Sequence, residues 1–600
     1  MIFIGIGAVI GVLLGIYRNI YPFIFSLIFL FLIYFLSNLK QEKAKKEPKV
    51  KNEGIKKEKI HKSYLERKEI FFYDYIINFK LKYILIFVLS TIFFSLYINL
   101  RYKNFENKNE RIKEKEEYES LVISKEEGKY SNKYKIYLSS EKIFGELKLA
   151  KKTKIDAGKI YNLKIEFKSL ERSFNPSGFD EKLYSYSKFL SFKGKIKNAE
   201  EYKNRNKNKS LLKNNIIFNI YLKYLEKMLK TKSTLKIYFN KYVKSKLALG
   251  ILLGEKNEID EKTKEDFMET NIYHVLSISG MHISYIYMFF KIFKNKIQEK
   301  NLEKNLRNKE TENTKITVKR KRFNIKNINI DYIFLFILFN YIILVGISPS
   351  IIRASISVIF FLIKDKFNLS IRFIDILAFS FVVSVLINPF YVFFSGIYLS
   401  LFSVLGINIY LYVFRKDFFT NFKKLKEKEK ENKQNILNIK NKYVLYLVNI
   451  LRQSIVISFV VQIFIFPILI YFTNKLSFNF ILANVLLQFV MPPLIFLGFL
   501  FILLVFFLIL FKNVFMHILI KSRLILNLFN VFLKALGLLI KFLSESLIYI
   551  SKISKFKTNE VYIPNINLIY ILIYYFLLYF IFKSIYILKR KKEYILVRIL

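Results

Sequence analysis

Long apolar runs separated by polar loops dominate this chain. The runs cover residues 2–17, 20–39, 83–100, 273–293, 332–348, 351–364, 372–388 and 391–414, and a nearly continuous block covers 443–588. About 20 apolar residues are enough for a helix to cross a bilayer. The pattern therefore predicts a mostly α-helical, polytopic membrane protein with about 10–12 transmembrane or re-entrant helices.

Prolines and lysines modify this picture in the last block. Pro467 and the Pro492-Pro493 pair predict broken or re-entrant helices. Residues 514–550 carry scattered lysines and one arginine among leucine and phenylalanine, which predicts helices that lie in the membrane interface.

Three short basic loops predict the topology. Residues 40–82 hold 14 Lys/Arg against 7 Asp/Glu, residues 294–330 hold 12 against 4, and residues 415–442 hold 10 against 4. If the first loop is inside, the intervening spans place all three loops inside, as the positive-inside rule requires. The predicted division is a hairpin at 1–39, a cytoplasmic loop at 40–82, a span at 83–100, an extracellular domain at 101–210, a membrane domain at 211–590 and a cytoplasmic tail at 591–600.

The predicted extracellular domain has β character. Residues 118–200 contain short alternating runs, a strong turn at Asn175-Pro176-Ser177-Gly178 and a short helix before the final run. Five strands in this order predict a small barrel of the OB type, which binds single-stranded nucleic acid with aromatic and basic side chains. The candidate contacts are Tyr130, Lys133, Tyr134, Lys135 and Tyr137. The alternative is that tyrosine and lysine are simply abundant here.

A polar cluster interrupts the first apolar run after this domain. It consists of His274, Ser277, Ser279, Gly280 and His282. Such groups are costly in a membrane and usually face a cavity or a partner. A metal site would need a third ligand such as Asp266 or Glu269, and a Ser-His hydrolase would lack the usual nucleophile elbow. The cluster therefore predicts a bent, polar part of a membrane path, with no catalytic residue and no metal; histidines that merely stabilise a helix break remain the alternative.

Three more polar residues are candidates for the same path. Arg353 follows Ser348-Pro349-Ser350 at the start of an apolar run, where it would bind phosphate or anchor the helix at the interface. Gln462 and Asn484 lie deep in apolar sequence and would line a cavity or form hydrogen bonds between helices.

Composition excludes several chemistries. The sequence has no cysteine, so disulfides, thiolate metal sites and cysteine nucleophiles are excluded. No G-x-x-x-x-G-K-[ST] loop is present, so we expect no bound nucleotide and predict no cofactor. The net charge of +52 suits nucleic acid or anionic lipid, although a codon bias toward lysine weakens that inference.

Several separated stretches, in order, resemble the ComEC family of bacterial DNA-uptake channels. They are NPSGFD from Asn175, the stretch from Ile251 through HVLSISGMH, GISPSIIRASI from Gly346, RFIDILAFSFVVSVLINPFYV from Arg372, and residues 458–494. The chain departs from the family pattern at Asn271, Ser277 and Met281, and within SGIYLS at 395–400. The resemblance covers residues 1–590.

The resemblance implies a multi-pass protein of the bacterial plasma membrane that passes single-stranded DNA into the cytoplasm during transformation. Its partners would be the lipid bilayer, a separate DNA receptor and a helicase-type motor. Many members also carry a metallo-β-lactamase-like domain, but this sequence has only four histidines and no H-x-H-x-D-H motif. We therefore expect no nuclease activity of that kind in this polypeptide, no enzymatic role, and a separate nuclease. The alternatives are a secondary transporter or flippase of an anionic solute or envelope precursor, and a relic without function.

Overall fold

The protein consists of two compact units that interleave along the chain. The first comprises Met1–Glu110 with Ser370–Phe393, and the second comprises Arg111–Leu369 with Phe394–Leu600. In the computed structural model, the described residues are 2–17, 81–112, 117–126, 131–141, 143–150, 155–156, 159–172, 180–201, 216–310, 325–346, 348–414, 436–477, 480–510, 523–555, 560–563 and 567–599. The span predicted at 20–39 and the turn at 175–178 lie outside them.

Helices dominate both units. In chain order they are α1 (Ile2–Tyr17), α2 (Leu81–Ile112), α3 (Glu181–Ser187), α4 (Ile216–Tyr238), α5 (Lys246–Leu253), α6 (Glu261–Glu269), α7 (Gly280–Glu310), α8 (Ile325–Val345), α9 (Pro349–Phe367), α10 (Phe373–Ile387), α11 (Ser395–Val413), α12 (Ile436–Thr473), α13 (Phe480–Leu510), α14 (Arg523–Ile553) and α15 (Leu568–Ile599). The strands are β1 (Glu117–Glu126), β2 (Ser131–Leu138), β3 (Ile143–Ala150), β4 (Ile160–Lys168), β5 (Leu190–Glu201), β6 (Lys475–Ser477) and β7 (Glu560–Tyr562).

The first unit packs α1, α2 and α10 together. Gly11 of α1 lies against α2 so closely that a Cβ atom there would be 2.4 Å from the Thr91 carbonyl oxygen. Small residues allow this approach between apolar helices. The third span was predicted to end at residue 100, where the apolar run ends. The helix α2 nevertheless continues to Ile112, since the polar residues that follow are helical too. The first strand of the barrel begins at Glu117.

The predicted β domain is a closed five-stranded barrel. The strands neighbour each other in the order β1-β2-β3-β5-β4, with β3 and β5 parallel and the other pairs antiparallel. The helix expected before the final strand is α3, and Asp180 caps it by accepting a hydrogen bond from the Leu183 N–H at 2.8 Å. The barrel core includes Tyr118, Tyr134 and Leu163, each almost fully buried.

The second unit is built around α5, the segment LALGILL after Lys246. Every residue of α5 from Leu247 to Leu253 is buried. The helix ends at Gly254, whose φ of 78° is a left-handed conformation that favours glycine. The Leu252 side chain packs against Gly498 of α13 at a distance that leaves no room for a side chain on that glycine. The apolar core of this unit therefore forms where α13 and α14 meet α5.

The last four helices correct the prediction of broken helices. Pro467 lies inside the continuous helix α12, and Pro492 and Pro493 lie inside α13. Helices in apolar surroundings tolerate proline because neighbouring groups satisfy the freed backbone carbonyls. Strand β6 joins α12 to α13, and it pairs with β7, which joins α14 to α15. The start of α13 is therefore near the end of α14, and the two helices pack against each other in opposite directions.

Five of the described helices are long and apolar enough to cross a membrane. Their candidate membrane spans are Leu85–Glu110, Ser395–Val413, Leu451–Thr473, Leu482–Ile509 and Ile569–Leu588. Shorter apolar helices occur at Ile4–Leu13, Ile330–Val345 and Phe373–Ile387. The described part of the chain is thus mostly helical, with several apolar helices and one closed barrel.

Candidate functional site

The polar cluster predicted from the sequence begins where α6 ends. Asn271 adopts φ 57°, the left-handed conformation usual just after a helix. The Ile272 N–H donates to the Phe267 carbonyl at 2.9 Å, and the Asn271 N–H donates to the Met268 carbonyl at 3.0 Å. This pair of hydrogen bonds is a Schellman motif. The side chains of Phe267 and Ile272, the two positions that often pack together in this motif, are both buried. Asparagine tolerates this backbone conformation better than most residues.

A capping interaction opens α7. Ser279 Oγ accepts a hydrogen bond from the Met281 N–H at 3.3 Å, and His282 Nδ1 accepts one from the Ser279 N–H at 3.2 Å. This is a variant of the capping box, in which Ser279 Oγ accepts from the second helical residue and histidine replaces glutamate as the third. The predicted break is confirmed: α7 starts at Gly280, and His274 lies before it in a short 3₁₀ turn.

The capping interaction determines the chemistry of His282. In a neutral imidazole, one nitrogen accepts and the other donates. Because Nδ1 accepts from Ser279, the proton is on Nε2. His282 is 0% exposed, and Nε2 has no hydrogen-bond partner among the described residues. A buried donor is therefore available at the start of α7.

The starts of α7, α9 and α11 meet at Gly280. A Cβ atom on Gly280 would lie 3.2 Å from Ala354 Cβ, 3.6 Å from Ser400 Oγ and 3.8 Å from the Ser350 carbonyl oxygen. Ser350 Oγ also donates to the Gly396 carbonyl at 3.2 Å. Glycine at 280 allows this approach. We call this place, where the first two turns of the three helices meet, the helix-start junction.

Arg353 points its guanidinium into the helix-start junction. Its Nη2 donates a hydrogen bond to Ser400 Oγ, while Nε has no partner among the described residues. The side chain is 3% exposed, so it does not extend to water as an interfacial anchor would.

The barrel reaches the same end of α11. The Tyr184 ring of α3 stacks on Phe394, the residue that precedes α11, with ring centroids 6.1 Å apart. Phe394 in turn covers Gly396, whose Cβ position is 2.6 Å from the Phe394 ring. Phe394 thus lies between the barrel and the helix-start junction.

The other predicted path residues lie elsewhere or have local roles. His274 is exposed, and its carbonyl accepts a hydrogen bond from Ser277 Oγ at 3.0 Å. Gln462 is buried on α12 without a partner for Nε2 among the described residues, and Asn484 is half-buried on α13. Hydrogen bonds in the described structure do not join these four residues to Arg353.

Asp266 and Glu269 are engaged by a lysine rather than open to a metal. Lys555 Nζ lies 3.0 Å from Asp266 Oδ1 and 2.7 Å from Glu269 Oε2. The two carboxylates, Glu269 first, raise the pKa of Lys555 above its usual value. Among the described residues, the structure has no group of three histidines or carboxylates that could hold a metal.

On the barrel, the predicted contacts divide into surface and core. Lys133 is exposed and Lys135 is half-buried, with Lys135 Nζ 5.8 Å from the centre of the Phe144 ring. Tyr134 and Tyr137 are 0% and 3% exposed, so neither can stack on a base. This corrects the sequence interpretation, because both rings contribute to the barrel wall and core. Tyr130 lies outside the described residues.

The strand register reveals a row of lysines that the sequence does not show. Lys133 of β2 is directly opposite Lys148 of β3, and Lys148 is directly opposite Lys195 of β5. All three are exposed, and in the described structure none forms an ion pair. The row ends at Glu126 on one side and Glu166 on the other. Like charges opposite each other destabilise a sheet, so the row favours a polyanionic ligand. We call it the lysine row.

A comparison with protein families identifies the membrane portion. The family model described as Competence protein matches residues 251–587, more than half of the chain. The chain belongs to the Competence protein family. A search of curated proteins and a search of solved structures found no match.

Membership in the Competence protein family points to a role in DNA uptake for transformation, and together with the apolar helices it is consistent with a multi-pass membrane protein. The match includes α7, α9 and α11, so the helix-start junction lies within it. It begins after the barrel, so the lysine row is a feature outside the matched region. Sequence reasoning missed Ser400, Lys148 and Lys195, because only packing and strand register bring them to their partners.

Proposed function

We propose that this protein is a channel of the bacterial plasma membrane that passes single-stranded DNA into the cytoplasm. The observation that carries the proposal is the lysine row on the barrel, attached to a membrane domain of the Competence family. Three lysines across neighbouring strands span about 10 Å, which suits successive phosphates of one strand.

The direction of the helices supports an outer position for the barrel. Helices α7 and α11 both lead into basic segments, at 294–330 and 415–442. The positive-inside rule then places their C-terminal ends in the cytoplasm and their starts outside. The barrel contacts the start of α11, so it would receive DNA outside and deliver it to the helix-start junction. A separate motor would pull the strand, and a separate receptor and nuclease would present it.

The first test measures uptake. In a transformable strain that depends on this gene, we expect deletion to abolish entry of labelled DNA into the cytoplasm, and reintroduction of the gene to restore it. Undiminished uptake in the deletion strain would reject the proposal.

The second test measures binding by the full-length protein in nanodiscs. Replacing Lys133, Lys148 and Lys195 together with glutamine should weaken binding of single-stranded DNA. The slope of log affinity against log salt should fall by about 2, because three phosphate contacts on a single strand each contribute about 0.7.

A matched control removes the same charge from lysines that already have partners. Lys159, Lys193 and Lys197 lie 3.0 Å, 2.8 Å and 3.9 Å from glutamate oxygens of the barrel. Glutamine at these three positions should change affinity and slope less than the replacement of the lysine row. Equal losses in the two triple variants would show that total charge, rather than the row, determines binding.

A further inference from the structure

A buried cation without a counter-anion marks the helix-start junction. Arg353 is 3% exposed, and the one hydrogen-bond partner of its guanidinium among the described residues is the neutral hydroxyl of Ser400. None of the ion pairs of the described residues includes Arg353. Burying an unpaired charge is strongly unfavourable. The arrangement therefore favours an anion at this point.

Three helix starts add to the same preference. The first N–H groups of a helix have no partner within the helix, and the aligned peptide dipoles place partial positive charge there. At the start of α7, the Cβ position of Gly280 lies within 3.2–3.8 Å of Ser350 and Ala354 in the first two turns of α9 and of Ser400 in the second turn of α11. Anions bind at such ends in many proteins. Here the buried guanidinium of Arg353 reaches the same place, because its Nη2 donates to Ser400 Oγ of α11.

A second buried donor lies at the start of α7. The proton on His282 Nε2 follows from the hydrogen bond that Nδ1 accepts from Ser279, and Nε2 has no partner among the described residues. Arg353 Nε is likewise without one. Two buried donors without partners among the described residues, both in the first two turns of these helices, favour an acceptor with several oxygens.

We infer that the helix-start junction binds a single phosphate group, with Arg353 as its principal ligand. The guanidinium presents paired N–H donors that match phosphate oxygens, whereas a lysine would offer only a point charge. We identify this phosphate as one phosphodiester of the DNA strand that passes the junction, and this identification rests on the proposed function. A lipid headgroup or free phosphate has the same chemistry, and the experiment separates the three sources.

The experiment measures thermal unfolding of the full-length protein in phosphatidylcholine nanodiscs as inorganic phosphate replaces chloride at constant ionic strength. A ligand that binds the folded state raises the unfolding temperature. We expect phosphate to stabilise the wild type. Arg353→Gln should raise the half-saturating phosphate concentration about tenfold or more, and Arg353→Lys should raise it less.

Two further variants keep the test decisive. Ser400→Ala removes the partner that orients Arg353 and should also raise the half-saturating concentration, which matters if Arg353→Gln fails to fold. Arg372→Gln is the control, because Arg372 Nε already donates to Asp375 Oδ2 at 2.8 Å. The inference is overturned if phosphate does not raise the unfolding temperature of the wild type. It is also overturned if the Arg353 and Ser400 variants both respond to phosphate as the wild type does.

The source of the phosphate is decided by competition. In nanodiscs of phosphatidylglycerol, the protein could be more stable and no longer respond to added phosphate. That result assigns the junction to a lipid headgroup. If thymidylyl-thymidine competes with phosphate and its uncharged methylphosphonate analogue does not, the junction binds the DNA backbone. If neither compound competes, free phosphate is the ligand. If phosphate binds through Arg353 but deletion of the gene leaves DNA uptake intact, the proposed function is rejected and the phosphate site still stands. Lost uptake on deletion, with phosphate binding independent of Arg353, would reject the site alone.

Discussion

At the scale of single residues, backbone conformation determines what position 271 tolerates. Asn271 has φ 57°, and its N–H closes the end of α6. A β-branched residue is strained in this conformation by about 1–2 kcal/mol, whereas glycine is not. We expect Asn271→Val to lower the unfolding temperature of the detergent-solubilised protein and Asn271→Gly to leave it unchanged or higher. If valine is tolerated as well as glycine, the Schellman motif does not limit stability.

A second residue gives a pH-dependent prediction. Burial raises the pKa of the Glu119 carboxyl in β1, and its Oε1 atom is buried without a partner among the described residues. The ionised form therefore destabilises the barrel at neutral pH. This penalty decreases as pH falls through the raised pKa, and it is absent below the ordinary value of 4.5.

Glu119→Gln should therefore slow hydrogen exchange of the barrel amides at pH 7 and lose that advantage at pH 4. The exposed Glu117 is the control, because Glu117→Gln should change protection little at either pH. An advantage of equal size at both pH values would show that the ionised carboxylate is not its cause.

Local signals at the residue scale were informative, while partners distant in sequence were not. Gly280, which lies between His274 and His282, predicted the break before α7, because glycine and serine favour helix starts and turns. Arg353 was a phosphate candidate for the same local reason. Ser400 is 47 residues away from Arg353, and only the packing of α9 against α11 brings them together.

At the scale of elements, the contact between α5 and α13 depends on a single glycine. A Cβ atom on Gly498 would lie 2.2 Å from Leu252 Cδ1. Gly498→Ala should separate the two helices and destabilise the protein by about 1–3 kcal/mol, as overpacking does. Gly5→Ala is the control, since its Cβ would meet its nearest neighbour at an ordinary 3.8 Å.

Thermal stability of the two alanine variants in detergent measures this difference. We expect Gly498→Ala to unfold at a lower temperature than the wild type and Gly5→Ala to unfold close to it. A second substitution, Leu252→Ala, should partly rescue Gly498→Ala because it removes the clashing side chain. The absence of such rescue would show that the cost arises away from this contact.

Elements were predicted well where one hydrophobic period extended over a whole helix, and poorly where proline was taken as a break. The spans predicted at 351–364 and 372–388 agree with α9 and α10 within three residues at each end. Pro467, Pro492 and Pro493 lie inside continuous helices, because a membrane-type environment leaves no water to stabilise an open helix. The barrel strands were visible as alternation, but their register, and with it the lysine row, depends on contacts far apart in sequence.

At the scale of the whole molecule, strand pairing determines how the last four helices are connected. Strand β6 lies between α12 and α13, and β7 lies between α14 and α15. Their pairing places the end of α14 beside the start of α13. Since α14 also packs along α13, which is long and apolar enough to cross a membrane, we expect α14 to cross as well, rather than to lie in the interface as the sequence suggested.

This expectation is testable because the chain contains no cysteine, so each introduced cysteine is its only thiol. If α14 crosses, its two ends are on opposite sides. The basic segment at 415–442 precedes α12, so β6, β7 and the exposed Lys552 at the end of α14 should lie outside. Ser522, directly before α14, should lie inside. A membrane-impermeant maleimide should therefore label Lys552→Cys in intact cells and label Ser522→Cys only after the cells are opened.

Two further positions calibrate the same measurement. Lys197→Cys on the exposed surface of the barrel should be labelled in intact cells, and Lys424→Cys in the basic segment should not. With these references, labelling of both Ser522→Cys and Lys552→Cys from the same side would return α14 to the interface. The number of crossings after residue 443 would then be odd, and the Lys/Arg cluster at 589–592 would be on the outer side, against the positive-inside rule. If the two ends of α14 are instead labelled from opposite sides, α12, α13, α14 and α15 form four crossings. The Lys/Arg cluster is then in the cytoplasm.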